Sequence, residues 1–392
     1  MRRFSANYIF PICKPPIKNG IVVIDNNDTI VEVIDPKGNI EELASMEFYN
    51  GILVPGFVNS HCHLELSHLK GKIKNSKGIA GFVSQIRNLR DVTKKEINES
   101  IKSALIDESN NGIVAIGDIC NTTDTIEFKI SSKILFYNFI EQFGLSNESG
   151  SERFNQSLEL LSKFLNLSVN SSIVPHSTYS LSEVLWELIN EEIKKNQQVV
   201  SIHFAESKQE YELLLNKSGL LAENFNKLGI SLNLPNCKTP VEIVERYLPK
   251  ESKVLFIHNT FASKDEIKQL SAHFTNPFFI LCPSSNLFIE GCLPDVPMIA
   301  EIGVNIALGT DSYASSDTLS IFDQMMILLK AFPSLTFNEV LRWGTINGAK
   351  ALDFDSTIGS FEVGKKPGIN LISNFDFASM SPTTKSRLRR LV

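Results

Sequence analysis

The sequence predicts an α/β protein: a (β/α)8 barrel of the TIM type with a small β-sandwich domain formed by both chain termini. Three observations carry this expectation. From Ile52 onward, short apolar runs alternate with helical segments. Most of those runs are continuous rather than alternating, as expected of parallel strands covered on both faces. Both ends of the chain have hairpin and turn chemistry instead. The expected division is a barrel over 55–355 and a composite β domain over 1–54 and 356–392.

In chain order, Ile21-Val22-Val23-Ile24 and Ile30-Val31-Glu32-Val33-Ile34 read as a small antiparallel piece separated by Asn and Asp turns. Eight strand candidates follow: Ile52 to Asn59, Gly112 to Asp118, Lys133 to Glu141, Ser172 to His176, Val199 to Phe204, Lys253 to His258, Pro277 to Cys282 and Val304 to Asp311. Between them the capping box S/T-x-x-E recurs at Thr93…Glu96, Ser180…Glu183, Thr239…Glu242, Ser263…Glu266 and Thr336…Glu339. Pro240 sits at a favoured first helical position. Ile97, Ile101 and Leu105 give the first of these helices an apolar stripe. A turn-rich stretch from Gly359 to Gly368 then leads into Ile369-Asn370-Leu371-Ile372.

Composition bounds the function. With 392 residues, 43% hydrophobic and 21% charged, the chain can bury a substantial core. The net charge of −6 is spread without a basic stripe, which argues against nucleic acid. Lys385 to Arg390 reads as a solvated tail. Met1-Arg2-Arg3 is followed by no apolar region, and Pro11, Pro15 and Pro16 break the segment, so no signal peptide is expected. No apolar run is long enough for a membrane span. The six cysteines are dispersed with no CxxC pair, which points to a reducing cytoplasm.

The chemistry lies at the ends of the apolar runs. His61 and His63 flank Cys62; a strand places both imidazoles on one side and the thiol on the other. His176, His203, His258 and Asp311 each close a run, and Glu206 follows His203. A lone strand-end histidine is commonly a satisfied core residue. Here five of seven histidines close apolar runs or lie just after one, and a shared site is the better reading. Three imidazoles and a carboxylate can hold a catalytic divalent ion, with a further histidine and carboxylate left to move protons. Glu206 can equally be an acid at a helix start. Glu210 reads as an exposed or outer group. Glu65 and Glu141 lie near strand ends within reach of a substrate. Cys62 and Cys282 read as small buried residues, Arg153 and His273 as surface residues, and His68 has no spacing argument.

The chain resembles the amidohydrolase superfamily, in its branch of aminohydrolases and chlorohydrolases. The resemblance rests on Val54-Pro55-Gly56-Phe57-Val58-Asn59-Ser60-His61-Cys62-His63, His203-Phe204-Ala205-Glu206 with Glu210, Ile257-His258, Cys282-Pro283-Ser284-Ser285-Asn286, Gly309-Thr310-Asp311-Ser312 and Gly359 to Lys365. It implies that His61, His63, His203 and Asp311 ligate one ion, zinc first and ferrous iron second. Such an ion lowers the pKa of a bound water from ~15.7 to about 7. It implies that Glu206 moves the proton to the leaving group, that Asp311 assists, that His258 stabilises the tetrahedral intermediate and that His176 contacts substrate. The fourth strand has no lysine at its end, where binuclear relatives bridge two metals, so one ion is expected. A homodimer and a small-molecule substrate are also implied. The expected reaction is deamination of an amino-substituted N-heterocycle such as an aminopurine nucleoside. The alternatives are chloride or a cyclic amide as the group released, and a metal- or ligand-binding relative without turnover.

Overall fold

Gly56 is where the chain passes from one sheet to another. Before it lie β1 (Arg2–Ile9), β2 (Ile17–Lys18), β3 (Ile21–Ile24), β4 (Ile30–Ile34) and β5 (Met46–Pro55); after it comes β6 (Phe57–Cys62). An added Cβ at Gly56 would meet Val114 Cγ1 at 2.3 Å and the Pro367 carbonyl oxygen at 2.5 Å. The Gly56 N–H donates to that carbonyl at 2.8 Å and so to no strand neighbour. The single strand expected over Ile52 to Asn59 is therefore two, because the Pro55-Gly56 pair ends one ladder and starts another. The computed structural model describes residues 1–39, 43–74, 78–89, 92–167 and 169–392.

Beyond β6 the strands are β7 (Ile113–Cys120), β8 (Leu135–Gln142), β9 (Asn170–Pro175), β10 (Val200–Phe204), β11 (Lys253–His258), β12 (Asn276–Leu281) and β13 (Asn305–Leu308). They follow the expected runs closely. Pairing is parallel throughout, in the orders β6-β7-β8-β9 and β10-β11-β12-β13. Helices lie between successive strands, so both faces are covered; β7 is buried at all eight positions. Two sets of contacts link the four-stranded sheets. The His203 N–H donates to the His176 carbonyl at 2.9 Å, and the Thr310 and Asp311 N–H groups to the His61 carbonyl at 3.1 and 3.0 Å. Isolated parallel bridges accompany them at Ser177–His203 and Cys62–Asp311. The fold is thus α/β with parallel sheets.

Both chain ends meet in one further sheet. β14 (Ile369–Asp376) pairs with β15 (Ser381–Arg390), and the order is β15-β14-β5-β1-β3-β4 with β2 on β1. β14 pairs with Ile52 to Pro55 of β5, so the C-terminal strands extend the N-terminal sheet edge to edge. Among the described residues these strands form one sheet; the second layer of the expected sandwich is not among their pairings.

Helix caps are largely as expected. Thr93/Glu96, Ser263/Glu266 and Thr336/Glu339 are reciprocal boxes, and Thr239 caps the helix that begins at Pro240. The box at Ser180 is displaced. Ser182 caps the helix Glu183–Asn196, while the Ser180 hydroxyl lies 3.1 Å from His176 Nδ1. No helix among the described residues is long and apolar enough to cross a membrane.

The crowding at Gly56 gives a direct test. Gly56→Ala is expected to cost about 1–3 kcal/mol through overpacking. Urea unfolding would show this as a lower midpoint with an unchanged slope.

Candidate functional site

The two histidines of the first motif owe their direction to a bulge. On β6, Asn59 lies opposite Ile116 of β7, and Cys62 opposite Asp118, so three steps on one strand match two on the other. A bulge of this kind re-aims the side chains beyond it. Cys62 turns toward Glu108 of the helix Lys94–Asn110, with Sγ 3.6 Å from Oε1. His61 and His63 turn toward each other, Nε2 to Nε2 3.2 Å.

β10 brings His203 to the same point. Its Nδ1–H donates to the His176 carbonyl at 2.7 Å, which leaves the lone pair on Nε2. The His203 ring centre lies 4.9 Å from that of His61 and 5.4 Å from that of His63. Asp311 follows β13 in the left-handed region, φ 60°. Its Oδ2 accepts from the Ser285 and Ser315 hydroxyls at 2.6 Å each. Its Oδ1 is then directed at His63 Nε2, 3.4 Å, and His61 Nε2, 3.8 Å.

His61, His63 and Asp311 fit a cation. Ligands at ~2.0–2.1 Å around a tetrahedral ion lie about 3.3–3.4 Å apart. The separations among His61, His63 and Asp311 are 3.2, 3.4 and 3.8 Å. Donor atoms of His61, His203 and His258 also lie within 4.8 Å of one another. Burial and the neighbouring histidines hold His61 well below the ordinary imidazole range; burial and His176 do the same for His203. Both rings are therefore neutral and offer lone pairs. Burial alone would raise the Asp311 carboxyl, but His63, His258 and the two serine hydroxyls outweigh it and hold it below its ordinary value.

Beside this set stand Glu206 and His258. His258 ends β11 with φ 74°, and its Nε2 lies 3.5 Å from Glu206 Oε1. Neither ring nitrogen is hydrogen-bonded, and burial lowers its pKa to about 4. The Glu206 carboxyl is pushed well above its ordinary value by burial, then by Asp311, Glu210 and Glu290. His176 edges the same cluster, its ring centre 4.7 Å from that of His203, and burial pulls its pKa down to about 3.

The seven site residues expected from the sequence thus come together. Glu210 differs from expectation: it is fully buried, accepting from the Glu206 N–H at 3.0 Å and from the Thr178 hydroxyl. His68 contacts the Glu65 carbonyl at 3.0 Å, and His273 lies 3.6 Å from Glu245; neither joins the cluster. Arg153 is exposed. Several supporting residues went unrecognised in the sequence. Asn59 donates to Glu108 at 2.9 Å and to the Thr310 hydroxyl at 2.8 Å, tying β6 to the residue before Asp311. Asp118 accepts from the Leu64 N–H at 2.9 Å, just beyond His63, and is held by the buried Lys129 at 2.5 Å. Asn59, Thr310 and Ser285 lay inside the motifs without being singled out; Glu108 and Lys129 carry no spacing signal.

Comparisons with known proteins identify the family and the fold. The model of the amidohydrolase family matches residues 52–386. An adenosine deaminase of Helicobacter pylori is 26% identical over 359 residues, 89% of this chain and 86% of the relative. An aminodeoxyfutalosine deaminase of Nitratiruptor sp. is 29% identical over 362 residues, covering 88% and 85%. Among solved structures, the aminofutalosine deaminase of Helicobacter pylori in complex with methylthio-coformycin superposes with a TM-score of 0.83 at 21% identity, over 100% of both chains. An adenosine deaminase from Xanthomonas campestris with bound zinc has a TM-score of 0.72 at 19% identity, over 95% of this chain and 84% of that one. At such identity these structures show the shared fold.

Glu108 supplies a pH test of the supporting network. Burial holds its carboxyl well above the ordinary value, so the folded chain keeps this proton to higher pH than the unfolded chain, where the group titrates at about 4.3. Its contribution to stability is complete below that pH and is lost as pH rises toward the folded value. Glu108→Gln should therefore make stability fall less steeply between about pH 5 and 8. Urea midpoints at the two pH values would show it, and equal slopes in both proteins would count against it.

Proposed function

The chain belongs to the amidohydrolase family, and on that premise we propose that it is a metal-dependent hydrolase that deaminates an amino-substituted N-heterocycle of the aminopurine nucleoside kind. The bond broken joins a ring carbon to its amino group; water adds, and ammonia leaves. The observation that carries the reading is the pairing of a cation-fitting donor set with the buried Glu206 carboxyl, 3.5 Å from His258. Among the curated relatives, the names adenosine deaminase and aminodeoxyfutalosine deaminase support the substrate class.

In this reading His61, His63, His203 and Asp311 hold one divalent ion, zinc before ferrous iron. Such an ion, when bound, supplies a Lewis acid that makes water acidic enough to react at neutral pH. The Glu206 carboxyl, whose burial favours its protonated form, supplies the proton that the ring nitrogen or the departing amine requires. The ionised Asp311 carboxylate draws a proton from the other side. His258, neutral and 3.5 Å from Glu206 Oε1, faces the reacting carbon and stabilises its oxygen substituent. His176 contacts substrate. An amine leaves only with a proton, whereas chloride leaves without one. Glu206 therefore favours deamination over release of chloride.

The same reading extends to architecture. The contacts at Ser177–His203 and Cys62–Asp311 support closure of the eight parallel strands into a (β/α)8 barrel over 55–355. The terminal sheet supports a small β domain over 1–54 and 356–392. We further propose a homodimer acting in the cytoplasm on a small molecule.

Two measurements test the reading. Zinc-loaded protein should release ammonia from at least one aminopurine or its nucleoside, and Glu206→Gln should slow this by ~10²–10⁴-fold. Full turnover by that variant would remove Glu206 from its role. Chloride release without ammonia would favour the alternative leaving group. Chelation should lower the melting temperature, and zinc should restore it, with a stabilisation of about 2.7 kcal/mol at a hundredfold excess over the dissociation constant. His61→Ala should abolish that response.

A further inference from the structure

Most acids around the site have partners that account for them. Glu65 accepts from the Asn121 and Thr122 N–H groups and the Thr122 hydroxyl, at 3.0, 2.8 and 2.8 Å, and so joins the loops after β6 and β7. Glu210 supports the backbone of Glu206, and Asp118 is paired with Lys129.

Glu141 is different. It stands next to last on β8 and is 7% exposed. Its Oε2 accepts from Asn121 Nδ2 at 3.3 Å. Its Oε1 is buried without a hydrogen-bond partner. His203 Nδ1 lies 3.8 Å away, but its proton is already given to the His176 carbonyl. Ligand atoms of Glu141, His176 and His203 lie within 4.8 Å of one another, so the unpaired oxygen belongs to the site. Leaving a buried acceptor unpaired is expensive, and more so for a charged one. Asn121 fixes one oxygen and thereby the direction of the other. Asn121 is fixed in turn through its own N–H by Glu65.

We propose that Glu141 is a specificity-determining residue that accepts a hydrogen bond from an uncharged O–H or N–H donor on the substrate. The donor sits on the part of the substrate facing β8 and β9, away from Glu206 and His258. The inference rests on the deaminase reading and deepens it. Two donors share this chemistry: a sugar hydroxyl of a nucleoside and a ring N–H of a free base. An anionic substituent at this position is repelled. A site built to bond a hydroxyl or N–H rejects the analogue that lacks it, because the buried acceptor is then left empty.

The test is isothermal titration of zinc-loaded protein with adenosine, 2′-deoxyadenosine, 3′-deoxyadenosine, adenine and 9-methyladenine, with steady-state kinetics wherever ammonia is released. Glu141→Leu should weaken the donor-bearing compound about 10–100-fold and leave its donor-lacking counterpart within about twofold. KM should rise while kcat changes little. If a hydroxyl is the donor, adenosine is affected and one deoxy analogue is not. If a ring N–H is the donor, adenine is affected and 9-methyladenine is not. Glu141→Gln retains an oxygen acceptor and the side-chain shape and should fall between the two. Wild-type protein that binds these compounds without releasing ammonia would sink the deaminase reading, while the binding differences would still decide the role of Glu141. Equal binding by wild type and Glu141→Leu overturns the proposal. So does failure of all the compounds to bind wild type. Loss of zinc with uniform weakening would make Glu141 a positioning residue for His203, which overturns it as well.

Discussion

A carboxylate held dry among imidazoles is the constraint on which the site depends. Asp311 is 5% exposed, and an isolated ion in such a place would be driven to its neutral form. Two serine hydroxyls on Oδ2 and the histidines beside Oδ1 keep it ionised instead. The histidines face their own constraint. Burial and neighbouring histidines keep His61 and His203 neutral, so each ring retains a nitrogen lone pair. A cation held by His61, His63 and Asp311 suits that arrangement. The outer contacts make sense as its support. Asn59 ties the first motif to Thr310, and Asp118 grips the N–H beyond His63.

Aiming these groups requires the backbone to leave regular geometry. The bulge in β6 reverses the side on which His61 and His63 emerge. His258 shows the same need more sharply. On β11, Leu255 and Ile257 pack in one apolar cluster, while Phe256 packs in another with the helix residues Ile267 and Leu270. Simple alternation would put His258 on the side of Phe256. Its left-handed φ of 74° turns it back toward His203, with the two rings stacked at 5.4 Å. Ala205, Asn259 and Asp311 are also left-handed. Such residues cost of order 1–3 kcal/mol each and persist where surrounding structure determines them.

That geometry marks how far the sequence could be read. The parallel strands were legible because short continuous apolar runs between capped helices belong to strands covered on both faces. The candidate ligands stood out because histidine and aspartate close or follow those runs. The break at Gly56 was hidden because Val54 and Phe57 are both apolar, so one run spans two sheets. The cap at Ser182 was hidden by Ser180, which satisfies the same pattern but bonds His176. Glu108, Lys129 and Glu210 are charged residues on helices, and sequence alone places such residues in solvent. Each is buried because a partner from a distant segment meets it: Asn59, Asp118 and Thr178 respectively. No local periodicity reports such pairs.

The proposed chemistry then follows from an asymmetry between two carboxyls. Burial pushes Glu206 and Asp311 in the same direction, upward. Asp311 has histidines and hydroxyls to reverse the effect, whereas the other charges acting on Glu206 are the carboxyls of Asp311, Glu210, Glu290 and Glu141, which add to it. The ionised state of one is thus part of the reason the other keeps its proton. A pair of acids driven apart in this way divides acid and base roles at one pH. Asp311 remains an anion, as a cation site requires, and Glu206 remains a proton donor, as a departing amine requires. Neutral His258 lies 3.5 Å from Glu206, with both ring nitrogens free to respond to charge that develops beside it.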